Sequence, residues 1–215
     1  MKFSVLSLAA ALAAAPLHAQ NAPETADARA AIAAVLAHQA SMRGAESAAG
    51  TCVERPLAGP PAAPGADDPM VPNHAVRIGF QWHAPEAPPI VRPPPQYRPD
   101  GRRLNRERRP EVPLPAALAP DLAQRLDALR AEAARAPSAT LAEIDAALVP
   151  APLRLRDGAR DCGPLTLSAP AFAGDAAFVE TAYACGTTCG NGSLYALQRR
   201  EGRWEVVAVA DIWIS

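Results

Sequence analysis

Ala182-Tyr183-Ala184-Cys185-Gly186-Thr187-Thr188-Cys189-Gly190-Asn191-Gly192 opens the stretch that decides the fold, which runs on through Ser193–Arg199, Arg200-Glu201-Gly202-Arg203 and Trp204–Ser215. Trp204, Val206, Ala208, Ala210 and Ile212 alternate with other residues, the period-two pattern of a strand. Ser193 to Arg199 is the strand before it, and Gly202 between them is free to take the positive φ of a tight hairpin turn. Working outward, Ala177 to Ala184 carries Phe178 on one side and Val179 and Tyr183 on the other. Pro164-Leu165-Thr166-Leu167-Ser168 is a short strand, with Leu153 and Leu155 as a candidate strand before it. Successive strands joined by short connections make a meander the default expectation.

Four cysteines remain to be placed: Cys52, Cys162, Cys185 and Cys189. An even number in an exported chain points to two disulfides, with three possible connectivities. The expected pairing is Cys185–Cys189 locally and Cys52–Cys162 at long range. A zinc site of four thiolates is the rival, but Cys52 and Cys162 lack paired ligand spacing. Cys185-Gly186-Thr187-Thr188-Cys189 is one residue longer than a redox Cys-x-x-Cys and joins strands, not a helix start. A structural staple follows, with Thr187 and Thr188 at its exposed tip.

The other end of the chain supplies the compartment. Met1-Lys2 is a short positive region, Phe3 to Leu17 is apolar, and Pro16-Leu17-His18-Ala19 precedes Gln20. That is the layout of a secretory signal peptide cleaved after Ala19. Its apolar run falls short of the ~20 residues that span a bilayer, and no cysteine stands at the cleavage site for a lipid anchor. A periplasmic or secreted bacterial protein is expected. Lys2 is the only lysine, and the 20 arginines are nearly balanced by 22 acidic residues, which argues against a nucleic-acid binder.

Between these ends the texture changes twice. Asn21, Pro23 and Glu24 open a helix that carries Ile32, Val35, Leu36 and Gln39 at helical spacing to about Ser41, with Gly44 and Gly50 ending it. From Pro56 to Pro120 lie 17 of the 24 prolines, which excludes helix through most of that segment and favours extended chain. Inside it Val76, Ile78, Phe80 and Trp82 alternate as a half-buried strand that needs a sheet to dock on. Six arginines between Arg98 and Arg109 read as a solvated run; Tyr97 alone is no stacking platform for single-stranded nucleic acid. Asp121 with Gln124 caps a helix bearing Leu122, Leu126, Leu129 and Ala133 until Pro137, and Thr140 with Glu143 restarts a short one to Pro150.

The resulting expectation is α+β: a small antiparallel β-meander packed against helices, with a Pro-rich extended segment. The organisation is a signal peptide over 1–19, an N-terminal helix within 20–50 and a Pro-rich segment over 51–115 with one strand at about 75–83. A helical hairpin and the sheet occupy 116–215.

Chemistry is sparse. There is no Gly-x-Ser-x-Gly, Ser-x-x-Lys or His-Glu-x-x-His motif. His38 lies on the polar edge of the first helix, and His74 with His83, aided by Asp67 or Asp68, is a weak metal candidate without a spacing signature. Asp157, Asp161, Asp175, Glu180 and Asp211 are candidate acid/base carboxylates, with Glu180 read as an outward-facing strand position. Glu180, Tyr183, Tyr195 and Asp211 are the candidate pocket residues. No cofactor and no metal is implied, and no catalytic residue is assigned.

The run Cys185-Gly186-x-x-Cys189-Gly190-x-Gly192, then Leu194-Tyr195-x-Leu197, Gly202-x-Trp204-x-Val206 and Trp213-x-Ser215, resembles the C-terminal end of uncharacterised exported bacterial proteins. The Gly-x-Trp-x-Val hairpin is also similar to the last strands of cystatin-like and nuclear-transport-factor-2-like cone folds. The resemblance covers about residues 178 to 215, implies a fold and carries no functional position. Two functions are therefore expected. The first is a non-catalytic domain of the cell envelope binding a protein partner or small ligand. The second is a small periplasmic hydrolase or ligand-processing domain with its pocket between helices and sheet.

Overall fold

A computed structural model describes residues 25–85, 116–137, 141–158, 162–185 and 189–215, without the side chains of 44–49. The signal peptide, the helix-opening residues 21–24, the arginine run, Asp161 and the Thr187-Thr188 tip lie outside these residues. Two α-helices, α1 (Thr25–Ala49) and α2 (Pro120–Ala133), accompany one eight-stranded sheet. Its strands are β1 (Thr51–Val53), β2 (Val76–Arg77), β3 (Arg154–Leu155), β4 (Gly163–Leu167), β5 (Ala171–Ala173), β6 (Ala176–Ala184), β7 (Gly190–Arg200) and β8 (Arg203–Ile214). The class is mixed α+β.

The sheet departs from a meander. Its order is β2-β8-β7-β6-β4-β1-β3, with β5 paired to β6. β5 to β8 follow one another as antiparallel neighbours, but β4 pairs with β6 past β5, and β1 is parallel to both β3 and β4. The β7–β8 turn uses Glu201 at φ 51° and Gly202 at φ 78°, the double positive φ that matches strand twist. Cys52 and Cys162 are bonded, as are Cys185 and Cys189. The long-range bond ties β1 to the chain entering β4, where Cys52 is in register with Pro164.

Helices cover both faces, so the molecule has three layers where one helical layer over the sheet was expected. α1 packs Ala31, Ile32, Val35 and Leu36 against Val53, Leu165, Leu167, Val179, Tyr195 and Leu197. On the opposite face α2 packs Leu126 and Ala133 with Phe178, Leu194, Ala196, Ala208 and Ala210. β6 is therefore buried on both sides along Ala176–Thr181, which is why its sequence reads as a continuous run with little alternation.

Three local expectations are corrected. α1 continues through Gly44 to Ala49, because a single helical glycine costs only about 1 kcal/mol and packing offsets it. α2 starts at Pro120 with Ala119 as its N-cap and no side-chain cap, since Pro120 already suits the first turn; Asp121 lies inside the helix. No α-helix follows it among the described residues. Glu143 instead bridges to Pro56, and Ala146–Leu148 is a single 3-10 turn whose Asp145 side chain accepts from the Ala147 N–H. Prolines on both sides left too little chain for a stable α-helix.

The Val76–Trp82 segment also behaves differently. It runs along β8 through Val76–Ile214 and Arg77–Trp213 pairing and an Ile78 N–H to Ile212 carbonyl bond of 3.0 Å. Its regular strand covers only two residues, Val76 is 63% exposed, and Trp82 alone is fully inserted. Trp82 packs near Phe178 and its indole N–H donates to Asp127 of α2 at 2.8 Å.

Candidate functional site

Among the described residues, polar side chains gather in a smaller and a larger concavity. The smaller, about 230 Å³, lies where the second half of α1 crosses β7 and β8. His38, Gln39, Met42 and Arg43 lie one turn apart on a single helical face and reach this recess, as do Ser193, Tyr195 and Asp211 of the strands. The polar row forms because Thr181, Ser193 and Asp211 are register partners on β6, β7 and β8. Gln39 donates to the Tyr195 hydroxyl at 2.6 Å and accepts from Arg43 Nε at 2.9 Å. Burial pushes the Tyr195 phenol up and the His38 imidazole down, so both are neutral at pH 7.

The same recess holds Ser193, Asp211 and His83. Ser193 Oγ donates to Asp211 Oδ1 at 2.9 Å, and Asp211 Oδ2 lies 3.9 Å from His83 Nε2. His83 Nδ1 faces the Ala84 carbonyl at 3.1 Å, which can only accept, so Nδ1 carries the proton there. A hydroxyl nucleophile is activated by a neighbouring base, most often histidine. Here the serine proton points at a carboxylate, with the imidazole on its far side. The carboxylate stands between hydroxyl and imidazole, 3.9 Å from a His83 Nε2 that has no hydrogen-bond partner among the described residues, and the hydroxyl is left without a histidine base.

The four candidate pocket residues separate. Tyr195 and Asp211 share the recess. Tyr183 lies on the same sheet face as a platform for the Arg43 guanidinium, 4.0 Å above its ring. Glu180 is on the other face and is corrected most. Expected outward, it is 1% exposed, because β6 is covered by both layers. Burial pushes its carboxyl up to about 9, with hydrogen bonding to Asp68 and that residue's charge adding to the rise and Arg130 and Arg77 opposing it. Its Oε1 has no hydrogen-bond partner among the described residues.

The larger concavity, about 690 Å³, contains none of these four. It opens at the β7–β8 turn end of the sheet, where the start of α1, the end of α2 and the β5–β6 turn meet. Phe172 and Trp204 form its apolar wall, their rings edge-on at 5.5 Å. Arg199 is ion-paired with Asp27 of α1 and lies 4.9 Å over the Trp204 ring. Glu132 of α2, Arg135 in the turn after it and Asp175 of the β5–β6 turn complete the rim. Asp175 accepts from Gln198 at 3.2 Å, which fixes it beside β7.

Sequence reasoning had used Trp204 as a core and turn marker and had no signal for Phe172 or Asp27. Asp27 lies more than a hundred positions from both aromatic residues, and neither it nor Phe172 sits in a spacing motif. Among the described residues no group of three or more His, Cys, Asp or Glu side chains is placed to hold a metal ion. None of the described helices is long and apolar enough to cross a membrane. No protein-family model, curated protein or solved structure matches this chain.

Proposed function

We propose that this chain is an exported, disulfide-stapled, non-catalytic domain of the bacterial cell envelope that binds a small ligand in the cleft beside Phe172 and Trp204. The observation that carries the reading is the cleft itself. Its 690 Å³ falls within the roughly 300–1,000 Å³ of small-molecule sites, and it combines an apolar wall with a few charged groups. Two bonded cysteine pairs support an oxidising compartment and leave no thiol to act as a nucleophile. The Ser193–Asp211–His83 order supports the absence of turnover. A small-molecule screen read by backbone amide shifts tests this: ligands should perturb residues around Phe172, Asp175 and Trp204. Hits confined to other surfaces would reject the cleft as the site.

The convergence of Tyr195, Asp211, Ser193 and His83 in one recess favours a second reading, a small hydrolase. Its 230 Å³ is below the usual range of ligand pockets, which places it second. Chromogenic ester, glycoside and phosphate substrates decide between the two. Turnover abolished by Asp211→Asn would establish the hydrolase.

A further inference from the structure

The charges around the larger cleft define the ligand it suits. Asp27 and Arg199 neutralise each other across the mouth. Glu132 and Asp175 then stand with Arg135 on the rim, two carboxylates to one guanidinium. An anion entering this space meets carboxylates, and a cation meets guanidinium groups. The excess carboxylate opposes an anion, and the two guanidinium groups on the same rim oppose a cation. A hydroxyl group does, because one oxygen donates to a carboxylate and accepts from a guanidinium at the same time. Several hydroxyls on a rigid ring satisfy such a mixed rim with little ordering cost.

The wall points the same way. Phe172 is only partly buried, so it offers aromatic surface, and the negative face of an aromatic ring suits the polarised C–H face of a pyranose. Trp204 is 7% exposed, and its indole N–H has no hydrogen-bond partner among the described residues. A buried donor left unpaired is uncommon and calls for an acceptor. Arg199, which covers that ring, is a long and partly exposed side chain able to shift when a ligand oxygen takes the position.

We infer that the cleft bounded by Phe172, Trp204, Arg135, Asp175 and the Asp27–Arg199 pair binds an uncharged, polyhydroxylated ligand, a short neutral glycan. This rests on the reading of the cleft as a ligand site and adds its chemical class. The test uses the full mature chain with both disulfides intact and follows the Trp204 indole N–H by NMR, assigned with Trp204→Phe. Maltotriose, cellotriose and chitotriose are the neutral probes; glycylglycine and citrate are the charged comparators.

A saturable shift of the Trp204 signal is expected with at least one neutral oligosaccharide. Its affinity should be unchanged by added salt, since no net charge is neutralised. Arg135→Ala, in the exposed turn after α2, should weaken that binding roughly tenfold, and Phe172→Ala by at least as much. Binding of glycylglycine or citrate with strong salt dependence, and none of the sugars, would overturn the neutral-glycan assignment while leaving the cleft a binding site. A Trp204 signal unmoved by all five compounds would overturn both the class and the site.

Discussion

The two faces of the sheet bury polar side chains at neighbouring positions with opposite results. On the α1 face Thr181, Ser193 and Tyr195 are buried together and bonded: Gln39 reaches Tyr195, and the Thr181 hydroxyl lies 3.4 Å from the Ser193 carbonyl. One residue away on the same strand, Glu180 enters the α2 face and keeps Oε1 unpaired. The charges acting on it come from Asp68, from Arg77 of β2 and from Arg130 of α2. The difference teaches what a buried polar group requires. Hydroxyl and amide groups are satisfied by one or two neutral partners, whereas a carboxylate must be paired or protonated. The α1 helix supplies Gln39 at the matching height. The α2 side supplies another acid, and Glu180 stays neutral.

The largest test removes the bond that belongs to one face more than the other. Cys52–Cys162 spans 110 positions and holds β1, whose Val53 contributes to the α1-side core. Replacing both cysteines by alanine should cost about 4–5 kcal/mol of unfolding free energy. Hydrogen exchange should show α1 amides losing protection before those of α2. Equal loss in both helices would show that the two faces unfold as one unit.

Glu180→Gln should move stability the other way. Glu180 is protonated in the fold up to about pH 9 but ionises near pH 4.5 once unfolded. Its folded-state value is raised, so its contribution is fully present below about pH 4.5 and is lost as pH climbs towards 9. The glutamine variant should therefore gain up to about 3 kcal/mol over the parent at pH 7, and nothing at pH 4. Urea midpoints of both proteins across that range check it. A pH-independent difference would mean that Glu180 does not change protonation on unfolding.

Tyr195→Phe breaks a satisfied pair. Losing the 2.6 Å bond from Gln39 should destabilise by about 1–2 kcal/mol, equally at pH 5 and pH 8 because the phenol is neutral throughout. Adding Gln39→Leu should recover part of the loss. Ser193→Ala is the mildest change. Its partner Asp211 is half-exposed and can turn to water, so about 0.5–1 kcal/mol is expected.

Much of the sheet was legible because its signals are local. Gly202 marks a turn whose φ of 78° it permits, and alternation marks β8, although a bulge puts Trp204 and Val206 on the α1 face and Ala208, Ala210 and Ile212 on the α2 face. β1 and β5 were missed, since three residues such as Thr51–Val53 carry no period to read. From the sequence, Gly192 suits the sharp backbone path beside a short cystine loop. Its reason is tertiary: a Cβ there would run into the Trp213 indole of β8. The four candidate pocket residues were chosen as polar positions on strands, and the fold placed only Tyr195 and Asp211 together.

By itself the sequence determined the disulfide count, the hairpin of the last two strands and the mixed class, because turn chemistry, residue alternation and cysteine number act over a few residues. Only the tertiary structure decided that helices cover both faces, that Glu180 points inward and that Phe172, Trp204 and Asp27 meet around one cleft. Those outcomes depend on which distant segment lands on each side of a strand, and alternation along a chain distinguishes two sides without saying what covers either.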